Sequence, residues 1–447
     1  MSYDEDYLGD SFHDQLTPEE WEAYLGEYEM ASSPLESTHR CVVGVFDSLW
    51  LQILVLTLCS VVQGCITRLL IPRGYERLHA ISLTLLGIAA LFYILPGSTT
   101  VSIVALYALL FVLLTASFGT WKHFSFVSCA YSLFFLLGCQ QMLDEVVFVS
   151  FRGALMVQIM KSVSFAFDSP SEISYFSLLA YLMHPATIIF GPFVSYREFS
   201  KSSGFWNGGF KTFAKLLAAF VLSLLFLFAS TCVAEELLHS WFASHWLLES
   251  YKTAMSFRYG HYYVCYLSYA LCLLSGIATE EVTDWKAIEL PRSMVDVVVF
   301  WNVPMKEFLH KCVFEHTRRY GRSTAVMATF LASSLLHGFN FQLTAVLLSL
   351  GFYSVTEQLS ITAESTDERV CESEELLGQF SLRTAVVNFA FSALTVYHLI
   401  YLGLVFDNSE SEESGYSMSH TLGKWAEWKF CSHIIAFAML LLGYTVL

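Results

Sequence analysis

The sequence predicts an all-α polytopic membrane protein, and three observations carry that prediction. Of its 447 residues, 55% are hydrophobic, 16% aromatic and only 14% charged, with a mean hydropathy of +0.53. No soluble domain of that length needs so much apolar surface. The apolar residues also gather into runs close to the roughly 20 residues that a helix needs to cross a hydrocarbon core about 30 Å thick.

Taken in order, the runs are Leu49–Ile71, His79–Leu95, Thr100–Phe118, Phe124–Leu137, Tyr175–Phe193, Phe213–Ala234, Tyr262–Ile277, Ser323–Ser354, Thr384–Val405 and Phe430–Leu447. They predict a bundle of about 10–11 transmembrane helices. Ser323–Ser354 is longer than one crossing requires, and reads as a long helix or a broken pair. Two connections, Gln140 to Ser174 and Glu280 to Arg322, are long and semi-apolar without an uninterrupted span. Such segments are expected to be re-entrant or interfacial, because bare backbone cannot face hydrocarbon.

The formal net charge of −16 is concentrated in a tail, since residues 1 to 40 hold eleven acidic side chains against Arg40. That tail lacks the basic and apolar regions of a cleavable signal peptide, and Leu49–Ile71 is expected to act as an uncleaved signal anchor. Residues 1–45 are therefore expected to form a disordered acidic extension, and residues 46–447 one transmembrane domain. The acidic stretches Glu364–Glu375 and Asp407–Glu413 read as solvated loops. The eleven cysteines form no CxxC pair, and most fall within apolar runs. They read as small buried hydrophobes rather than a metal or disulfide framework, with Cys41 placed to accept a palmitoyl group.

His337 stands out from this background. The run Ser323 to Thr356 contains no Lys, Arg, Asp or Glu. Its imidazole is expected on the order of 20 Å below Arg322, deep in the membrane. An ionisable group there is a functional-site hypothesis by default. A neutral His bonded to a backbone carbonyl fits the position equally well. Just before this run lies the densest basic cluster of the chain, Lys311, Arg318, Arg319 and Arg322. By the positive-inside rule this end is cytosolic. The same cluster can hold the phosphates of a nucleotide-containing donor.

Upstream, Trp301-Asn302-Val303-Pro304 forms a polar break thirty-five residues before His337. Acyl transfer fits these residue types. A neutral imidazole can take the proton of an alcohol attacking a thioester. An Asn amide can orient the His or the thioester, or donate to the developing oxyanion. Gly338 lets a substrate or neighbouring backbone approach the ring.

The pair Trp301-Asn302 and Leu336-His337-Gly338 resembles the signature of the membrane-bound O-acyltransferase (MBOAT) family. Further blocks carry the same resemblance: Arg152–Met156, Ile189–Phe193, Glu289–Val295, Trp301–Met305, Ser334–Phe339, Tyr397–Gly403, Gly415–Met418 and Lys424-Trp425. They run in order from about residue 140 to the C-terminus, while the first 130 residues match only in apolar character. The resemblance implies a helical bundle around a central tunnel in the endoplasmic-reticulum membrane. It implies His337 as the catalytic histidine and Asn302 as its polar partner, in orientation or hydrogen bonding. Its longer blocks imply transfer of palmitoleate from palmitoleoyl-CoA, a donor substrate entering from the cytosol, to a serine of a Wnt protein in the lumen. Arg292, Ser293, Trp301 and the basic cluster Lys311, Arg318, Arg319 and Arg322 are the candidates for donor binding. No bound cofactor, metal or nucleic acid is expected.

Other polar positions carry two readings each. Arg152 either pairs with Asp144 or Glu145 or reaches a donor phosphate. Asn340 either orients His337 or satisfies backbone at a helix break. His398 is read as a structural hydrogen bonder before a site-lining residue, His184 as serving a helix end, and Phe190–Phe193 as architecture. An acyltransferase with another acceptor, such as a lysophospholipid, a sterol or another secreted protein, keeps the same His337 and Asn302. A non-enzymatic transporter would instead spread polar residues over several spans or two related halves.

Overall fold

The computed structural model describes residues 34–170, 172–202, 209–238, 245–277, 279–367, 382–407 and 417–446. The acidic tail before residue 34, residues 368–381 of the first acidic loop and residues 408–416 of the second lie outside them. Every regular element among the described residues is helical.

Five long helices open the chain: α1 Pro34–Leu70, α2 Glu76–Ile94, α3 Gly97–Phe118, α4 Phe124–Met142 and α5 Glu145–Asp168. Short connections join them, so successive helices reverse direction. Next come α6 Tyr175–Leu182, α7 Tyr196–Ser200, α8 Gly209–Phe228 with a π-helical continuation Ala229–Leu238, and α9 Trp246–Ser275. Three short helices follow, α10 Trp285–Glu289, α11 Met294–Trp301 and α12 Val303–Leu309, then a π-helical turn His310–Phe314. The chain ends with α13 Arg322–Leu336, α14 Phe341–Asp367, α15 Leu382–Gly403, α16 Met418–Glu427 and α17 Cys431–Val446. Among the described residues, α1 to α5 and the helix starting with α8 are individually long and apolar enough to cross a membrane; the pair α16 and α17, bent by 75°, would make a seventh span.

Residues 34–45, expected in the disordered extension, are helical as the start of α1, and Glu364–Asp367, expected in a loop, end α14. Three further sequence expectations change. Gln140–Ser174 holds an uninterrupted helix after all, α5, which is the most buried of the candidate spans. Its Phe, Gln, Lys and Ser residues read as semi-apolar because they face other helices rather than lipid. Tyr175–Phe193 is not one span. The helix stops at Leu182 and the chain doubles back, so that the Tyr181 hydroxyl donates to the Val194 carbonyl at 2.6 Å. Its apolar character serves burial inside protein, and Lys161 Nζ holds the segment by donating to the Tyr181 carbonyl at 2.9 Å and Thr187 Oγ1 at 2.6 Å. Third, Cys41 is joined in a disulfide to Cys232, 191 residues away. A pair so distant leaves no spacing signature, and Cys41 is not available for acylation while it is bonded.

The disulfide also distinguishes the two faces of the bundle. It ties the start of α1 to the segment after α8. Arg68, Arg73 and Arg77 lie at the opposite end of α1 and its connection to α2, and Lys211 and Lys215 at the opposite end of α8. Counting reversals from α1 puts Lys122 and Asp168 on this basic face as well. Lys311 bonds Asp168, and His316 shares a surface pocket with Trp121, Lys122 and Ser169. The cluster Lys311 to Arg322 therefore belongs to the basic face.

Two large apolar cores and two small clusters form the interior among the described residues. One large core is built around α2 to α6 and includes Phe308 and Leu309 of α12. The other gathers α8 to α11 with α14, α15 and Trp425. Leu336 packs on the first core and Ala345 on the second, just as Met305 packs on the first and Trp301 on the second. His337 and Asn302 thus both fall on the seam between the cores.

Maleimide is expected to leave Cys41 and Cys232 unlabelled until reductant is added. A Cys232→Ser variant should free Cys41 for labelling and lower thermal stability, consistent with a loss of about 2–4 kcal/mol. Labelling of Cys41 in the unreduced wild type would contradict the pairing.

Candidate active site

The Ser323–Ser354 run breaks at His337 because Gly338 takes a φ of +79°, where a side chain would be strained. His337 ends α13 with φ −85° and ψ 1°, its amide donating back to the Ser334 carbonyl at 3.1 Å. Fifteen residues of α13 carry it about 22 Å from Arg322. The imidazole is half-buried, and no hydrogen bond to it is formed among the described residues. The charge it feels is the guanidinium of Arg152.

Two side-chain amides repair the backbone freed at this break. Gln140, near the end of α4, accepts from the Phe339 amide at 2.7 Å and donates to the Phe339 carbonyl at 3.0 Å. Asn340 Oδ1 accepts from the Leu343 amide at 2.9 Å and so starts α14. Of the two readings of Asn340, the structure supports the backbone role.

The second break is at Trp301-Asn302, where Pro304 cannot donate into a continuing helix. Several of the freed groups are again taken up. The Phe300 carbonyl accepts from Asp284 N at 3.2 Å and Thr283 Oγ1 at 3.0 Å, and Val303 N donates to the Val282 carbonyl at 2.9 Å. The Trp301 carbonyl lies 2.9 Å from His261 Nε2, which donates to it, and the two rings stack at 4.4 Å with 7° between planes. Asn302 caps α12, its Oδ1 accepting from the Met305 amide at 3.0 Å. Because that oxygen faces an N–H donor, the Nδ2 group is the side left to donate elsewhere.

Buried charges hold the intervening block in place. Arg258 of α9 makes a two-pronged pair with Glu289, Nε to Oε1 at 2.8 Å and Nη2 to Oε2 at 2.9 Å, and Tyr262 donates to Oε1 at 2.9 Å. Glu357 of α14 accepts from the Met294 amide at 2.7 Å, at the start of α11. Ion pairs of this kind persist inside a membrane because each partner alone would be costly there.

The predicted site residues divide accordingly. His337, Asn302 and Trp301 each lie where the two cores adjoin, and no hydrogen bond joins Asn302 to His337 among the described residues. Ser293 caps α11, accepting from Asp296 N at 3.2 Å, and Arg292 is exposed beside it. Arg318, Arg319 and Arg322 are exposed on the basic face, and Lys311 is engaged by Asp168. Arg152 feels the charge of Glu145, but no ion pair or hydrogen bond joins the two among the described residues. His398 bonds Ser432 at 2.5 Å, within a network that includes Tyr353, which is the structural role expected of it. His184 is buried past the end of α6, its ring against Phe199. Sequence reasoning missed Gln140, Arg258, His261 and Glu357. The charged pair had a signal, since a lone Arg or Glu in an apolar run needs a partner. Gln140 had none, its partner being 199 residues away.

An apolar cleft of about 170 Å³ runs beside this seam, between α4, α5, α12 and α13. Ile159, Val163, Phe308, Leu335 and Leu336 help line it, so its wall reaches the residue before His337.

The model of the MBOAT, membrane-bound O-acyltransferase family matches residues 77–366, a stretch that includes both breaks. The chain belongs to the membrane-bound O-acyltransferase family. Similar proteins named protein-serine O-palmitoleoyltransferase porcupine occur in several animals. The one from Homo sapiens is 33% identical over 361 residues, 70% of this chain and 77% of that protein. Those from Anopheles gambiae and Caenorhabditis briggsae are 29% and 30% identical, over 65% and 66% of this chain and 68% and 71% of their own lengths. Membership of the MBOAT family makes this chain an acyltransferase.

Glu289→Gln should leave Arg258 without its charge partner, at a loss of about 3–5 kcal/mol. Thermal unfolding in detergent should show a clearly earlier transition, and Arg258→Met with Glu289→Leu should recover much of it. A Glu289→Gln protein that melts with wild type would contradict the role of this pair.

Proposed function

We propose that this protein is a protein-serine O-palmitoleoyltransferase. It moves palmitoleate from palmitoleoyl-CoA to a serine of a Wnt protein at the endoplasmic-reticulum membrane, and residues 46–447 form its acyltransferase domain. The observation that carries the chemistry is the position of His337. Its imidazole has no hydrogen-bond partner within the described residues, at a helix break on the seam, with an apolar cleft beside it. The names of the similar proteins support the choice of substrates.

Sidedness follows from two independent rules. Disulfides persist in oxidising compartments, and basic loops stay cytosolic. Both make the Cys41–Cys232 face luminal and the face with Arg318, Arg319 and Arg322 cytosolic. The donor's phosphates rest at the basic face, with Arg292 and Ser293 as further donor contacts, and its acyl chain lies along the cleft that ends at Leu336.

In the proposed step the serine Oγ–H gives its proton to an imidazole nitrogen of His337. The oxygen attacks the thioester carbon, the new C–O ester bond forms and the C–S bond breaks. The imidazolium returns the proton to the departing thiolate, so the products are the serine ester and free CoA. Asn302 serves best as a donor through Nδ2 to the thioester oxygen, because its Oδ1 is committed to the α12 cap.

Purified protein, palmitoleoyl-CoA and a serine-containing Wnt peptide test this reading. His337→Ala is expected to lower ester formation by about 100-fold or more while binding of acyl-CoA persists. In the same assay, neutralising Arg318, Arg319 and Arg322 together should raise KM for acyl-CoA. Unchanged turnover in a folded His337→Ala protein would overturn the base assignment, and acylation of a lysophospholipid alone would overturn the acceptor.

A further inference from the structure

His337 presents an unusual problem for a general base. Acid–base histidines are ordinarily held by a partner on the second ring nitrogen, yet no side chain bonds its imidazole among the described residues. Asn302, the expected orienting group, spends its oxygen on the α12 cap. The direction of the ring is then set by the backbone turn that carries it, and by whatever holds that turn.

One side chain holds it from outside the α13–α14 hairpin. Gln140 reaches across from α4 and bonds both the N–H and the C=O of Phe339, at 2.7 and 3.0 Å. This mimics one rung of a sheet and fixes the peptide groups on both sides of that residue. The same amide fills the space over Gly338. A Cβ at that position would stand 2.8 Å from Gln140 Oε1, so the glycine and the glutamine are matched. Phe148 of α5 closes the other side, 3.4 Å from the same point.

We propose that Gln140 is the positioning residue for His337, acting through the Gly338–Phe339 turn in place of a direct partner on the imidazole. Its function rests on the acyltransferase reading above. Gln140 bonds the turn and not the imidazole itself, so it should govern turnover rather than donor binding. A shift of about 1 Å in a catalytic group can cost about 100-fold in rate.

Steady-state kinetics on the full-length protein with palmitoleoyl-CoA and the Wnt peptide provide the test, with thermal unfolding measured alongside. Gln140→Leu puts an apolar side chain at the site and loses both bonds. It is expected to lower kcat by about 10- to 100-fold with KM for palmitoleoyl-CoA within about twofold of wild type. Gln140→Glu retains the acceptor for the Phe339 amide and should recover part of the loss. Turnover of Gln140→Leu within about twofold of wild type would overturn the assignment, as would an equal loss in both variants that follows their thermal stability. Failure of the wild type to form the ester would instead contradict the substrate reading, and so separates the two.

Discussion

A backbone N–H or C=O left unpaired in hydrocarbon costs several kcal/mol, and the whole site depends on how this chain meets that constraint. Two helices break inside the bundle, at Trp301-Asn302 and at His337-Gly338. Each break frees groups that no continuing helix can satisfy. The protein answers with side chains borrowed from other segments: His261 for the Trp301 carbonyl, Thr283 for the Phe300 carbonyl and Gln140 for Phe339. Local caps by Asn302 and Asn340 complete the set. The breaks are therefore rigid, which is what a reacting group needs. They also lie on the seam of two apolar cores.

Charge follows the same logic at a larger scale. Arg258 and Glu289 are tolerated because each is the other's partner, and Tyr262 completes the carboxylate's hydrogen bonding. Their pairing pins α10 to α9 and so fixes where α11 begins and where Trp301 ends. Lys161 has a comparable role, pinning the returning segment after α6. The exposed cluster Arg318, Arg319 and Arg322, in contrast, lies on the face opposite the disulfide. The two faces thus differ in chemistry as well as in position.

Much of this was legible in the sequence because membranes make strong demands on composition. An uncharged run of more than thirty residues can only be buried in lipid or protein, and a histidine within it is conspicuous. The break at Gly338 and the polar step at Asn302 were visible for the same reason. The doubling back after Leu182 was hidden, since a returning segment buried in protein is as apolar as one crossing lipid. α5 was hidden for the reverse reason, its polar residues facing other helices. The Cys41–Cys232 bond and the Gln140 contact were beyond reach, because each joins residues about two hundred positions apart and neither partner's neighbours announce it. The cap role of Asn302 also needed coordinates, which turn it from a candidate partner of the imidazole into a candidate donor to the thioester.

The central claim is that His337, at a helix break on the seam, meets a donor entering from the basic face. A structure bound to a non-hydrolysable thioether analogue of palmitoleoyl-CoA addresses it most directly. The account predicts the nucleotide beside Arg318, Arg319 and Arg322, the acyl chain against Leu336, and the carbon that replaces the thioester carbonyl within about 4–5 Å of the His337 imidazole, leaving room for the serine oxygen between them. A nucleotide on the disulfide face, or a reactive carbon separated from His337 by packed side chains, would contradict it.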